Sequence, residues 1–177
     1  MAAAMFMSPM EITTVFRNSP TSEIHPRQKF THDGKFIAIW GSKGRSDGQF
    51  YYPYGIAFDS NSNAYVVDVG NNRIQIFTSN GKFIAKWGSK GSGDGQFNSP
   101  RGIAFDSNSN AYVADTFNNR IQKFTFDGKF IAKWGSYGKV EGQFYWPMDI
   151  AADDNGNVYV VDSFNYRIQN FRWSVYC

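Results

Sequence analysis

The chain has 177 residues, of which 42% are hydrophobic, 18% aromatic and 19% charged, enough apolar material for a packed core and too much for wholesale disorder. Seventeen Gly, seventeen Phe and ten Tyr tip the composition toward a β-rich domain joined by tight turns and away from a helical bundle. A net charge of +3 is too mild to mark a nucleic-acid binder, and the single cysteine, Cys177, excludes an intrachain disulfide framework.

No run approaches the roughly 20 apolar residues of a membrane span, so no membrane partner is expected. The absence of a disulfide framework fits a reducing compartment, and a cytoplasmic location is the expectation. Residues 1–28 contain Pro9, Pro20 and Pro26 and show no period. Their first ten residues lack a basic n-region and are interrupted at Pro9, so they read as a flexible extension and not as a secretory signal.

From residue 29 to 177 the sequence repeats itself with a period of 47 residues. Residues 34–80 and 81–127 share 35 of 47 positions, and 81–127 shares 28 with 128–174, without insertion or deletion. The repeats fall at about 41–87, 88–134 and 135–173. Within the first, an apolar run at 55–59 ends in the Ser60-Asn61-Ser62-Asn63 cluster and is followed by Ala64-Tyr65-Val66-Val67-Asp68, which predicts a hairpin. A turn over 69–72 leads to a third strand at 73–78, and Ser79-Asn80-Gly81 leads to a fourth at 82–87. Asn80-Gly81 and its copies Asp33-Gly34 and Asp127-Gly128 are dipeptides favoured by two-residue hairpins. A preceding outer strand is predicted over 35–40, and the last repeat ends after its third strand.

Four short antiparallel strands per period cannot bury both faces of their own sheet. Stacking such sheets around an axis makes an all-β propeller, with a solenoid of stacked hairpins as the rival architecture. The Gly-rich stretch 88–95 would carry the chain from one blade's outer strand to the next blade's inner strand.

The recurring pattern of Gly-Gln-Phe, Pro, Gly-Ile-Ala-Phe-Asp, Tyr-Val-x-Asp, Asn-x-Arg-Ile-Gln, Gly-Lys-Phe and Trp-Gly resembles the NHL repeat over residues 28–173. The resemblance implies a propeller, typically six-bladed, that binds proteins or RNA and often sits at the C-terminus of tripartite-motif ubiquitin ligases. Three periods are half such a ring. The expectation is either a segment of a longer protein or a homodimer that completes six blades.

Positions identical in every repeat are explained by the fold. Arg73, Arg120 and Arg167 each follow Asp68, Asp115 or Asp162 by five residues across a turn, which predicts a repeated charge-assisted bond. Trp40, Trp87 and Trp134 are expected to pack between blades. The clusters beginning at Asp59, Asp106 and Asp153 resemble the opening of a calcium loop, but Gly70, Phe117 and Phe164 stand where the bidentate Glu is required, so Asx turns are expected and no metal. His25 and His32 lie outside the full repeats without a second ligand at metal spacing. No nucleophile elbow or P-loop is present, so neither an enzyme nor a cofactor is expected, and an NHL-like lyase would lack its metal-binding histidines.

The repeats differ in two sets of turns that share one face of a propeller. The turns leading into the inner strands carry Lys43, Arg45, Lys90, Tyr137 and Lys139, followed by Tyr51, Tyr52, Tyr54, Arg101, Tyr145, Trp146 and Met148. The turns between second and third strands carry Phe117, Phe164 and Tyr166. Of these, Lys43, Arg45, Tyr54, Lys90, Arg101, Phe117, Tyr137, Lys139, Trp146, Phe164 and Tyr166 form the expected partner-binding set, with rings as anchors and cations setting orientation. Protein recognition is the first reading and single-stranded RNA the second, since RNA sites join basic groups to stacking rings. The charge is uneven, +2 in 41–87, +2 in 88–134 and −2 in 135–177, so an RNA footprint would favour the first two repeats. Asp149 replaces the Gly found at 55 and 102, and both a channel contact and drift in the last repeat remain open readings.

Overall fold

The computed structural model describes residues 27–30 and 33–172. The extension expected over residues 1–28 lies outside the described residues except for Arg27 and Gln28, which belong to strand β1 (Arg27–Phe30). This strand pairs antiparallel with β2 (Phe36–Trp40), so the described part opens with two strands of a preceding blade and not one. The signal is in the sequence: Gln28-Lys29-Phe30-Thr31 repeats Gln122-Lys123-Phe124-Thr125 of a later third strand.

After a short parallel contact between β3 (Ser42–Lys43) and β4 (Gln49–Phe50) come three blades in sequence order. Blade 1 is β5 (Pro53–Phe58), β6 (Ala64–Asp68), β7 (Arg73–Phe77) and β8 (Phe83–Trp87). Blade 2 is β9 (Pro100–Phe105), β10 (Ala111–Asp115), β11 (Arg120–Phe124) and β12 (Phe130–Trp134). Blade 3 has β13 (Pro147–Ala152), β14 (Asn157–Asp162) and β15 (Arg167–Arg172). Neighbours within each blade are antiparallel, and the inner strands β5, β9 and β13 lie side by side. The fold is an all-β propeller stretch.

The turn between third and fourth strands is longer than the two-residue hairpin that its Asn-Gly or Asp-Gly dipeptide suggests. Gly81 N–H donates to Thr78 O at 2.9 Å, Thr78 N–H to Lys82 O at 2.9 Å, and the register resumes at Phe77 opposite Phe83. Thr78 Oγ1 accepts Lys82 N–H and bonds Asn80, which stabilises the wider turn. Gly81 closes it at φ +85°, a conformation that costs a side-chain-bearing residue about 1 kcal/mol or more. The ring of Trp40 lies against Gly81, as Trp87 does against Gly128, so these tryptophans pack between successive blades.

Strand alternation sends one face of each blade backward and the other forward. Tyr65, Val67, Ile74 and Ile76 of blade 1 bury against Phe97, Ile103, Ala111, Val113 and Phe124 of blade 2. Tyr112, Ala114 and Ile121 repeat that forward face against Phe144, Ile150, Val158 and Val160 of blade 3. Each large apolar group buried there stabilises by about 1.5–3 kcal/mol. The inner strands approach so closely that a Cβ on Gly55 would lie 2.3 Å from Arg101 O, and one on Gly102 2.7 Å from Asp149 Cα. At the corresponding place on blade 3 stands Asp149, exposed, with Oδ1 accepting its neighbour's N–H from Ile150 at 2.9 Å. The third forward face differs elsewhere too. Ile168, at the position of the fully buried Ile74 and Ile121, is 62% exposed, and Asn170 replaces Ile76 and Lys123.

The clusters that resemble calcium loops use their carboxylates to close the first hairpin. Asp59 Oδ1 accepts the N–H groups of Asn61 and Asn63 at 2.9 and 2.8 Å, and Oδ2 accepts the Asn63 amide and the Tyr65 hydroxyl. Asp106 and Asp153 repeat this with Asn110 and Tyr112, and with Asn157 and Tyr159. Burial opposes ionisation of Asp106, yet the Asn110 side chain and N–H, the Tyr112 hydroxyl and the Lys123 ammonium together hold it below the usual carboxylate range. Burial, reinforced by Asp59 and Asp106, pushes the Tyr65 and Tyr112 hydroxyls well above the usual phenol range.

Gly102→Ala should lower unfolding stability by about 1–3 kcal/mol in urea titrations, because backbone and not a flexible side chain opposes the new methyl, while Asp149→Ala should stay within about 0.5 kcal/mol. The tyrosine contribution is fully present below the ordinary phenol value of about 10 and is lost as pH rises beyond it, so stability should fall in strong alkali and Tyr112→Phe should flatten that fall. The Asp106 contribution runs the other way, present at neutral pH and lost as pH drops below about 4.

Candidate functional site

The loops that lead into the inner strands are fixed by a buried polar clamp that every blade repeats. Asp68, Asp115 and Asp162 are fully buried at the ends of β6, β10 and β14. Oδ1 of each accepts a lead-in N–H at 2.7 Å, from Tyr51, Asn98 and Tyr145 respectively. Oδ2 accepts Nε of Arg73, Arg120 and Arg167 at 2.8 Å in every case, as the five-residue spacing predicts. The same oxygen accepts the side-chain amides of Gln75, Gln122 and Gln169 and of Asn71, Asn118 and Asn165. The guanidinium groups then donate to lead-in carbonyls, those of Ser46 and Gln49 in blade 1. The glutamines and asparagines were visible only as identical positions; their place beside the carboxylate is a result of the pairing of second and third strands.

On this frame the lead-in turn takes a left-handed residue at Tyr52, Ser99 and Trp146, with φ of 54°, 52° and 54°. The turn after the second strand takes another at Asn72, Asn119 and Tyr166. Asn72 Oδ1 accepts the N–H of Ser99 at 2.8 Å and Asn119 Oδ1 that of Trp146 at 3.0 Å, so each of these turns grips the following blade. Phe117 N–H donates to Asn98 O and Phe164 N–H to Tyr145 O, which brings both sets of variable turns to one rim.

The expected binding residues separate into three groups on that rim. Between blades 2 and 3 the rings of Phe117, Trp146 and Phe164 form a row with centroids 5.1 and 4.4 Å apart, and Tyr145 and Tyr137 extend it, at 5.1 Å from Phe164 to Tyr145 and 5.1 Å from Tyr145 to Tyr137. Phe117, Tyr137 and Phe164 are exposed. The matching place between blades 1 and 2 has Gly70, Ser99 and Phe117, which cannot form such a row.

At the start of the inner strands the Arg101 guanidinium lies 5.3 Å from the Tyr54 ring centroid, with Nη1 3.6 Å from Met148 Sδ. On blade 1, Lys43 lies over Tyr51 at 5.9 Å, and Tyr51 contacts Tyr52. Arg45, Lys90 and Lys139 are exposed on the lead-in loops, and Tyr166, 93% exposed, stands outside the ring row. The contacts of Lys43 and Arg101 with rings are thus to Tyr51 and Tyr54, outside the aromatic row. Lys86 and Lys133 pair with Asp47 and Asp94 of the lead-in loops. Among the described residues no grouping of three or more His, Cys, Asp or Glu could hold a metal ion, and no helix is long and apolar enough to cross a membrane.

Residues 58–133 match a family model described as a 6-bladed beta-propeller, and residues 144–171 match that of the NHL repeat. No curated protein matches the chain. Among solved structures it is similar to a protein of unknown function from Bacteroides thetaiotaomicron VPI-5482, at 20% identity and TM-score 0.66, over 82% of this chain and 41% of that one. It is similar also to an auxiliary nutrient binding protein from the same organism, at 17% identity and TM-score 0.62, over 82% and 42%. A third is a catalytically inactive virginiamycin B lyase from Staphylococcus aureus with quinupristin, at 18% identity and TM-score 0.56, over 84% and 49%. The chain thus spans less than half the length of these structures, and the likeness is one of fold. It is a stretch of β-propeller whose third blade carries an NHL repeat.

Proposed function

We propose that this propeller stretch is a non-catalytic recognition module that binds a protein partner through its loop face. The observation that carries the reading is the ring row Phe117, Trp146, Phe164, Tyr145 and Tyr137, which belongs to one blade junction and is not required by the repeat. Aromatic side chains held at fixed positions beside a polar rim are the usual anchors of protein interfaces. In this reading the module would select substrates for a larger protein of the ubiquitin-ligase kind, a context that the NHL resemblance alone suggests. A lyase reading draws only on the fold shared with the virginiamycin B lyase.

Single-stranded RNA is the second reading, favoured by exposed Lys43 near the Tyr51 ring, by the contact of Tyr51 with Tyr52, and by Arg45 and Lys90 exposed on the lead-in loops. A random peptide array probed with the 177-residue chain separates the two. Trp146→Ala with Phe164→Ala should weaken the selected peptides by about 2 kcal/mol or more, roughly thirtyfold, with an unchanged far-ultraviolet spectrum. Peptide binding that survives the double substitution would overturn the reading. Tight binding to a uridine 12-mer that falls steeply between 50 and 200 mM salt would replace it with the RNA one.

A further inference from the structure

The arginines of the repeat scaffold have aspartate partners: Arg73 with Asp68, Arg120 with Asp115 and Arg167 with Asp162. Arg101 is built differently. Its position in the other two blades holds Tyr54 and Met148, so nothing in the repeat calls for a cation there. The guanidinium lies over the Tyr54 ring, and among the described residues Nη1 reaches only the thioether of Met148, a weak acceptor. Its Nε–H is buried and has no hydrogen-bond partner among the described residues. A buried donor left unpaired is costly, and the cost is recovered when an acceptor arrives. The nearest acid in sequence on the neighbouring strand, Asp149, is exposed and turned to the N–H of Ile150.

Resting on the loop-face reading above, we infer that Arg101 is its charge-selecting residue and takes the side-chain carboxylate of an acidic peptide whose apolar neighbours lie on the Trp146 and Phe164 rings. The guanidinium fork presents paired N–H donors that match a carboxylate, and the flanking ring and thioether keep water from competing with the bond. A polynucleotide would engage a run of cations. The lead-in loops instead alternate sign, Lys43 and Arg45 with Asp47, Lys90 with Asp94, and Lys139 with Glu141. One partly buried guanidinium at the start of β9, on the rim that also carries the ring row and with its Nε–H unpaired among the described residues, fits a single fixed carboxylate.

The test uses two immobilised peptide libraries of equal length with randomised flanks, one with glutamate fixed at the centre and one with glutamine. The full chain should be retained at least tenfold better by the glutamate library. Arg101→Gln should abolish that preference while leaving the thermal midpoint unchanged or raised, because it removes a buried unpaired donor, and Arg101→Lys should restore only part of the preference. Equal retention by both libraries would overturn the inference and leave the loop-face reading standing. Retention by neither, with the chain folded, would overturn both. A preference that persists in Arg101→Gln, or displacement of the glutamate peptides by a uridine 12-mer at lower concentration than by free glutamate peptide, would also overturn it.

Discussion

Everything on the loop face depends on one buried charge per blade. A carboxylate that leaves water at the end of the second strand destabilises the fold by several kcal/mol unless its oxygens are fully hydrogen-bonded. Asp68 is satisfied only when four donors converge on it: Tyr51 N–H, Arg73 Nε, Gln75 and Asn71. Three of these belong to the turn and third strand, and one to the lead-in loop. The contact therefore fixes the turn, the strand register and the path of the chain into the blade in a single arrangement. Arg73 and Gln75 then extend it, each donating to Gln49 O. Asp68, Asn71, Arg73 and Gln75 are each identical in all three repeats, as expected where a change would leave a buried charge short of a partner.

The blades are joined by weaker and more adjustable means. Apolar faces supply most of the contact, a close approach of inner strands sets their spacing at Gly55 and Gly102, and Asn72 and Asn119 tie each turn to the next lead-in loop. On blade 3 the corresponding groups are Asp149 and Tyr166. A carboxylate and a large ring there replace the absence of a side chain and a short amide acceptor. Asp149 occupies the place at which Gly55 and Gly102 meet the next inner strand, and its exposed side chain accepts the N–H of Ile150.

The sequence made the strands, their order and the Asp–Arg pairing legible because a strict period multiplies every local signal by three. Phe36–Trp40, Ala64–Asp68 and Arg73–Phe77 lie within a residue or so of the spans read from turn clusters and alternation. What escaped has physical reasons. The strand Arg27–Phe30 has Pro26 where later repeats have Arg73 and Arg120, so its copy of the motif begins one residue late. The wider turn at Thr78 depends on a hydroxyl that bonds back to the chain, which outweighs the preference of the Asn-Gly dipeptide. The candidate site residues were legible as a set of variable positions, but not as groups. Whether Trp146 meets Phe117 depends on the rotation between blades, and whether Arg101 finds a carboxylate depends on which strand lies beside it; neither is a local property.

A symmetric scaffold can carry an asymmetric site at modest cost because the clamp holds backbone that side chains alone would not choose. The left-handed position shared by Tyr52, Ser99 and Trp146 is unfavourable for a bulky residue by about 1–3 kcal/mol. At Trp146 it is held from two sides, since Asn119 accepts its N–H and Asp162 accepts that of Tyr145. An indole on that backbone is pinned before any partner arrives, and so is Arg101 one strand away, between Tyr54 and Met148. Groups already ordered lose little conformational freedom on binding, so more of their contact energy becomes affinity. In the proposed site the two elements would divide the work by their chemistry: the rings would contribute area with little preference for one apolar neighbour over another, and the guanidinium would discriminate because its Nε–H, buried and unpaired among the described residues, gains an acceptor.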